Sequence, residues 1–260
     1  MAKQNGSGTE LENKSIIITG ASSGIGAAAA LLFAAEGANV LLGARRPAEL
    51  EALADTINSG TGRAVCLAGD VRDEGYADAL VDLATREFGG LDGAFNNAGI
   101  VGAMAPVPDM DIGNWNDVMR VNLTAAFLAA KAQIPALRKR GGGSIVFTSS
   151  FVGYSNGGMP GMAAYAASKA GLVGLVQSLA SGHAAEGIRV NALLPGGTIT
   201  PAGGEGDPGA MEFIANLHPV KRMATAKEIA QGALYLLSDR SSFMTGSPMI
   251  VDGGMSVRLV

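Results

Sequence analysis

One cysteine, Cys66, and two histidines, His183 and His218, are the whole supply of thiol and imidazole ligands in 260 residues. No disulfide can close within the chain, and no CxxC or histidine cluster has metal-binding spacing. Charge is sparse as well: charged residues are 16% of the chain, the net charge is −4 and the pI about 5.2. No block of like charges occurs, and the basic footprint of a nucleic-acid binder is missing. The uncharged stretch 15–35 is broken by Gly20, Gly24 and Gly26, so it reads as strand plus helix and not as a membrane span. The first ten residues are polar, without the apolar centre of a signal peptide. These absences point to a soluble, cytoplasmic protein with no nucleic-acid, membrane or metal partner.

Apolar residues are plentiful, at 48%, enough for one large core. Short β-rich apolar runs at 15–19, 39–43, 64–68, 91–96, 144–148, 189–194 and 248–251 alternate with helix-length segments at 24–36, 47–59, 76–88, 112–138, 163–185 and 227–237. Strands interleaved with helices of ten or more residues imply βαβ units and a parallel sheet. Right-handed crossovers then place helices on both faces. The expected fold is a single α/β domain over 13–260, doubly wound around a seven-stranded parallel sheet, behind a flexible tail at 1–12. No repeat or linker divides it. The Gly-rich stretch 201–209 reads as a mobile loop.

The run Thr19-Gly20-Ala21-Ser22-Ser23-Gly24-Ile25-Gly26 follows the first strand and opens a helix. Gly20 permits a sharp turn, while Gly24 and Gly26 permit close approach of backbone and helix. Free N–H groups at the helix start then suit a pyrophosphate. No Gly-Lys-Ser/Thr follows, so a Walker loop is excluded. The second strand ends in Leu42-Gly43-Ala44-Arg45-Arg46, with arginines where a plain ribose calls for an acid. Two guanidiniums attract a 2′-phosphate, which favours NADP(H) over NAD(H).

Tyr165 and Lys169 share one helix face at i, i+4. A free phenol is a poor base near neutrality, and a neighbouring cation stabilises its phenolate. With a dinucleotide at the glycine turn, this pair reads as the acid/base of a nicotinamide-dependent oxidoreductase acting on a carbonyl or an alcohol. Upstream, the strand at 144–148 ends in Ser149-Ser150, at the sheet edge where α/β folds bind ligands. Either hydroxyl is available to hold a substrate oxygen.

Together these motifs resemble the short-chain dehydrogenase/reductase family: Thr19–Gly26, Asp70, Asn96-Asn97-Ala98-Gly99, Asn122, Ser149/Ser150, Tyr165-x-x-x-Lys169 and Pro195-Gly196 span nearly all of 13–255. The resemblance implies roles. Tyr165 is the acid/base, and Lys169 binds the nicotinamide ribose and lowers the tyrosine pKa. Ser150 aligns best with the carbonyl-orienting serine, although the longer gap to Tyr165 keeps Ser149 in play. Asn122 matches the asparagine whose helix distortion holds a proton-relay water. Gly20, Ser22, Ser23, Gly24 and Ile25 cradle the phosphates. Asp70 and Val71 contact adenine, and Asn97, Ala98 and Gly99 lie beside the adenosine ribose. Pro195, Gly196, Thr198 and Thr200 grip the carboxamide and phosphates. Ala44-Arg45 follows the NADP-preferring pattern; Ser23 stands where a second basic residue is usual, which leaves the 2′-phosphate mainly to Arg45, then Arg46, with Ser22 or Ser23 assisting. The run 244–254 resembles the segment through which the family packs tetramers, and a homotetramer is expected. The substrate loop, about 199–222, sets specificity.

Other residues carry blander expectations. His183 and His218 are assigned capping or surface roles. Trp115 is expected to anchor a helix start, Cys66 to be a buried strand thiol, and 27–35 to be a close-packed helix face. Met159 and Met162, with Phe151 and Val152, suit an apolar pocket; core filling is as good a reading for these methionines, and for Met211 and Met223. Two rival functions use the same fold: a catalytically silent nucleotide sensor, and methyl transfer from S-adenosylmethionine, which has no use for Tyr165 and Lys169.

Overall fold

The computed structural model describes residues 9–155, 157–203 and 206–258. Seven parallel strands form one sheet: β1 Ser15–Thr19, β2 Asn39–Ala44, β3 Arg63–Ala68, β4 Gly93–Asn96, β5 Gly143–Thr148, β6 Ile188–Pro195 and, last in the chain, β9 Pro248–Val251. Their order is β3-β2-β1-β4-β5-β6-β9. The order reverses direction between β1 and β4, which opens a crevice at the C-terminal ends of the strands. A separate pair, β7 Thr198–Ile199 and β8 Ala224–Thr225, was not foreseen; two residues a side leave no period to detect.

The apolar strand runs are continuous because both sheet faces are covered. Ile16 and Ile18 of β1 point into one core and Ile17 into the other; Val40 and Leu42 of β2 oppose Leu41 in the same way. The first core is closed by α1 Gly24–Ala35, α2 Pro47–Asn58 and α8 Ala226–Leu237. The second is closed by α3 Glu74–Phe88, α5 Ala125–Arg140 and α6 Ala163–His183. The alanines of α1 let it pack closely on α8, as their small side chains imply.

Several expectations need revision. The mostly helical segment 112–138 is two helices, α4 Ile112–Met119 and α5, joined by a π-turn at Arg120–Thr124, which contains Asn122, the position at which the resemblance implied a helix distortion. One inserted residue makes that turn, with no Pro or Gly to announce it. Asp111 caps the start of α4 by accepting from Asn114 N at 2.9 Å, so the anchor is Asp111, and Trp115 sits partly buried behind it. Cys66 is half-buried, on an edge strand, and burial raises its pKa. Of the expected tail, 1–8 lie outside the described residues, while Leu11 is fully buried in the first core. Within the expected loop 199–222, α7 spans Pro208–Leu217.

Candidate active site

Strand β1 ends against the loop after β4. Thr19 Oγ1 accepts from Asn97 N at 3.1 Å and Ala98 N at 3.2 Å. The turn into α1 passes Gly20 at φ +67°, where an added Cβ would lie 3.0 Å from the Ala98 backbone. At Gly26 a Cβ would lie 2.2 Å from Gly20 O, so helix and turn touch there. Ser23 makes no side-chain capping bond, which leaves the first-turn N–H groups of α1 without a side-chain cap beside the cleft.

A cleft of about 1140 Å³ runs from this turn to Tyr165, and every site residue expected from the sequence lines it except Asn122. At one end lie Ser22, Arg45, Arg46 and Asp70. Arg46 Nη2 donates to Ser22 Oγ at 3.0 Å, and Arg46 lies 3.2 Å from Glu49. Arg72 grips Asp70 at 2.7 Å and Asp117 at 2.8 Å. The hydrogen bond from Arg72 is the main reason the Asp70 carboxyl stays below the ordinary range. Beyond the glycine turn stand Asn97-Ala98-Gly99 and, opposite, Pro195, Gly196, Thr198 and Thr200. Gly196 N donates to Val251 O at 3.0 Å, and Thr198 Oγ1 donates to Gly196 O at 3.1 Å.

At the far end, β5 delivers Ser149 and Ser150, and the first turns of α6 deliver Tyr165 and Lys169. The structure separates the two serines. Ser149 Oγ is spent on Lys169 O at 2.8 Å, whereas Ser150 Oγ accepts from Val152 N at 3.3 Å and lies beside the Tyr165 side chain, whose phenol pKa it lowers. Lys169 Nζ donates to Thr148 O at 2.7 Å and lies 5.6 Å from the Tyr165 ring centre. The tyrosine ring is partly open to the cleft while its hydroxyl is enclosed. Enclosure pushes the phenol pKa up, and Ser150 pulls it partly back. Burial also lowers Lys169 to about 8. The direction at Tyr165 is opposite to that expected from the lysine, because desolvation of a phenolate outweighs a cation whose own hydrogen bond goes elsewhere.

Asn122 sits behind the cleft, on the π-turn. Its Oδ1 accepts from Ile100 N at 2.9 Å; its Nδ2 donates to Ile100 O at 2.9 Å and to Ser168 Oγ at 3.0 Å. Ser168 Oγ in turn donates to Tyr165 O at 2.8 Å. This link had no sequence motif. Nor did the buried amide pair of Asn96 and Gln133, at 2.9 and 3.0 Å.

The apolar end of the cleft is walled by Met104, Phe151, Val152, Met159, Met162 and, from α7, Phe213 and Leu217; Met255 also reaches it. Met211 does not line it, and Met223 is buried elsewhere, 4% exposed. His218 is no surface residue: it is 2% exposed and caps α7 through Ile214 O at 2.8 Å. His183 lies at the end of α6, 3.4 Å from Glu186. Among the described residues no group of His, Cys, Asp and Glu could hold a metal, and no helix is long and apolar enough to cross a membrane.

A switch-point crevice with an uncapped helix start at one end and a buried Ser–Tyr–Lys cluster at the other defines a hydride-transferring oxidoreductase. The residues fit a nicotinamide dinucleotide, since the glycine turn and the cluster line one continuous cleft. A family model described as enoyl-(acyl carrier protein) reductase matches residues 20–256. The chain is 39% identical over 252 residues to 2,5-dichloro-2,5-cyclohexadiene-1,4-diol dehydrogenase of Sphingobium indicum, covering 95% of this chain and 99% of that one. It is 37% identical over 244 residues to cyclohexanol dehydrogenase of an Acinetobacter species, covering 94% and 95%. The crystal structure of levodione reductase superposes with a TM-score of 0.89 at 34% identity, covering 95% of this chain and 99% of that one. The chain belongs to the short-chain dehydrogenase/reductase family, and it is an oxidoreductase acting on alcohols and ketones with a nicotinamide cofactor. Nothing supports the silent-sensor alternative.

Proposed function

We propose that the protein is an NADP(H)-dependent dehydrogenase/reductase for a lipophilic secondary alcohol and its ketone, with Tyr165 as general acid/base. The observation that carries this reading is that Ser150, Tyr165 and Lys169 stand together on the wall of one cleft, next to its apolar end. When bound, the dinucleotide supplies or accepts the hydride at the substrate carbon. Ser150 orients the substrate oxygen. In reduction, Tyr165 gives that oxygen its proton; in oxidation it takes the proton back. A phenol kept protonated by enclosure is ready to act as the acid. Lys169 holds the nicotinamide ribose and places a positive charge near the phenol. Asn122 acts at one remove, fixing Tyr165 through Ser168.

Ser22, Ser23, Gly24 and Ile25 would meet the pyrophosphate at the α1 start, and Asp70 with Val71 the adenine. Asn97, Ala98 and Gly99 would lie along the adenosine ribose, and Pro195, Gly196, Thr198 and Thr200 along the carboxamide. Arg45 and Arg46, with no acid at Ala44, support NADP(H). Among the described residues the walls at this end of the cleft include Phe151, Val152, Met159 and Met162, which supports a lipophilic, uncharged group near the reacting carbon. Two relatives named for alcohols on six-membered carbon rings, a cyclohexadiene diol and cyclohexanol, favour a carbocyclic substrate.

The same reading includes a cytoplasmic homotetramer whose substrate loop, about 199–222, contains α7; residues 204 and 205 of it lie outside the described residues. Phe243 is fully exposed, Ile250 sits on edge strand β9, and Phe127 stands out from α5. Open strand edges and apolar side chains of this kind suit pairing with further copies. Light scattering that finds a stable monomer would remove the tetramer. Initial rates with cyclohexanol and cyclohexanone, using each of the four nicotinamide dinucleotides, test the rest. Turnover that is faster with NADPH supports the proposal. Binding of NADPH without turnover of any ketone or alcohol in a broad panel defeats it.

A further inference from the structure

His218 is buried, and both of its ring nitrogens are engaged. Nε2 lies 3.0 Å from Gly197 N, and Nδ1 lies 2.8 Å from Ile214 O. A backbone N–H only donates and a carbonyl only accepts. The imidazole therefore accepts at Nε2 and donates at Nδ1, which is the neutral Nδ1–H tautomer. Gly197 belongs to the turn after β6 that walls the cleft, and Ile214 lines the same cleft from α7. The Gly197 carbonyl is also taken, by Ala224 N at 2.9 Å. The two walls are in contact here: a Cβ on Gly197 would lie 2.4 Å from Ile214 Cγ2 and 2.7 Å from His218 Cε1. One side chain thus ties the turn facing the dinucleotide to the helix facing the substrate.

We propose that His218 is a positioning residue that couples these two walls. By accepting from Gly197 N while capping α7, it makes the turn Pro195-Gly196-Gly197-Thr198 and the helix adopt their binding positions together. The inference takes from the proposed function only that the cleft binds a nicotinamide dinucleotide. Helix capping alone does not need the Nε2 bond, because the Nδ1 donor already reaches Ile214 O.

Two substitutions separate the bonds. His218→Gln keeps an acceptor near the Nε2 position and loses the Nδ1 donor. His218→Asn keeps a donor near Nδ1 and loses the acceptor. For the full-length chain, calorimetry gives NADPH and NADH affinity, steady-state rates give kcat and KM, and amide exchange reports on the peptide 195–199. Thermal melts confirm that both variants are folded. One neutral hydrogen bond is worth about fivefold in a binding constant. The expected result for His218→Asn is about fivefold weaker dinucleotide binding, a higher KM and faster exchange at 195–199, with kcat nearly unchanged. His218→Gln should stay within about twofold of the original protein. Equal losses in both variants, or none in either with exchange unaltered, would overturn the coupling. A wild-type protein that binds no nicotinamide dinucleotide would sink the proposed function instead; exchange at 195–199 in the free variants would still decide the coupling.

Discussion

The Lys169 ammonium sits 5.6 Å from the centre of the Tyr165 ring but gives its hydrogen bond to Thr148 O, at 2.7 Å. The lysine is almost fully buried, and burial takes its pKa from 10.5 to about 8. Between those values the unfolded chain binds a proton that the folded chain has released. Stability from this group therefore rises as pH increases from about 8 to about 10, by up to about 3 kcal/mol. Tyr165, shifted the other way, opposes the gain only above about pH 10. Melting temperatures across this range should climb more in the wild type than in Lys169→Met. Parallel curves would show that the lysine is not held as described.

Tyr165→Phe removes one oxygen and little volume. Its kcat should fall by about 10²- to 10⁴-fold, the usual worth of a positioned general acid. Dinucleotide affinity should change less than about threefold, because the ring keeps its place and a single neutral contact is weak. Retained turnover would take the proton-transfer role away from Tyr165.

Arg45 and Arg46 stand at the adenosine end, with Arg46 bonded to Ser22. Charge-assisted bonds to a phosphate are worth about 1.5–3 kcal/mol each. The double substitution Arg45→Ala, Arg46→Ala should lower kcat/KM for NADPH by at least about 100-fold and leave that for NADH nearly unchanged. A wild type that already prefers NADH would refute the assignment before any variant is made.

Gly26→Ala puts a methyl 2.2 Å from Gly20 O. Forced overpacking of this kind costs about 1–3 kcal/mol, or about 3–10 °C in melting temperature for a chain of this size. It also displaces the turn, so dinucleotide affinity should fall along with stability. A variant with unaltered melting and binding would mean that helix and turn are not in contact.

The sheet was legible because strands covered on both faces must be apolar throughout, and Ile16-Ile17-Ile18 can be nothing else. The glycine turn and the Tyr165–Lys169 spacing were legible because backbone approach and helical pitch fix them locally. Helix α7 was missed beneath its glycine-rich approach, although Asp207 followed by Pro208 is a recognisable helix start: Asp207 Oδ1 accepts from Ala210 N at 3.1 Å. The choice between Ser149 and Ser150 needed coordinates, since neighbouring residues differ only in which way the chain turns them. Ser168 and Gln133 were invisible for another reason, and so was the bond from Gly197 N to His218, of which only the capping role was expected. Each works through a partner far away in the chain, and an isolated polar residue has no pattern.

All seven strands of the main sheet deliver their C-terminal ends to the cleft, so the opposite rim carries none of the chemistry. The α2–β3 connection, with Ser59, Gly60 and Thr61 exposed, lies on that idle rim. Tethering the protein to a bead or an electrode through those three positions would leave its opening facing the bulk liquid. No linker would then cross the route by which reactant and dinucleotide come and go.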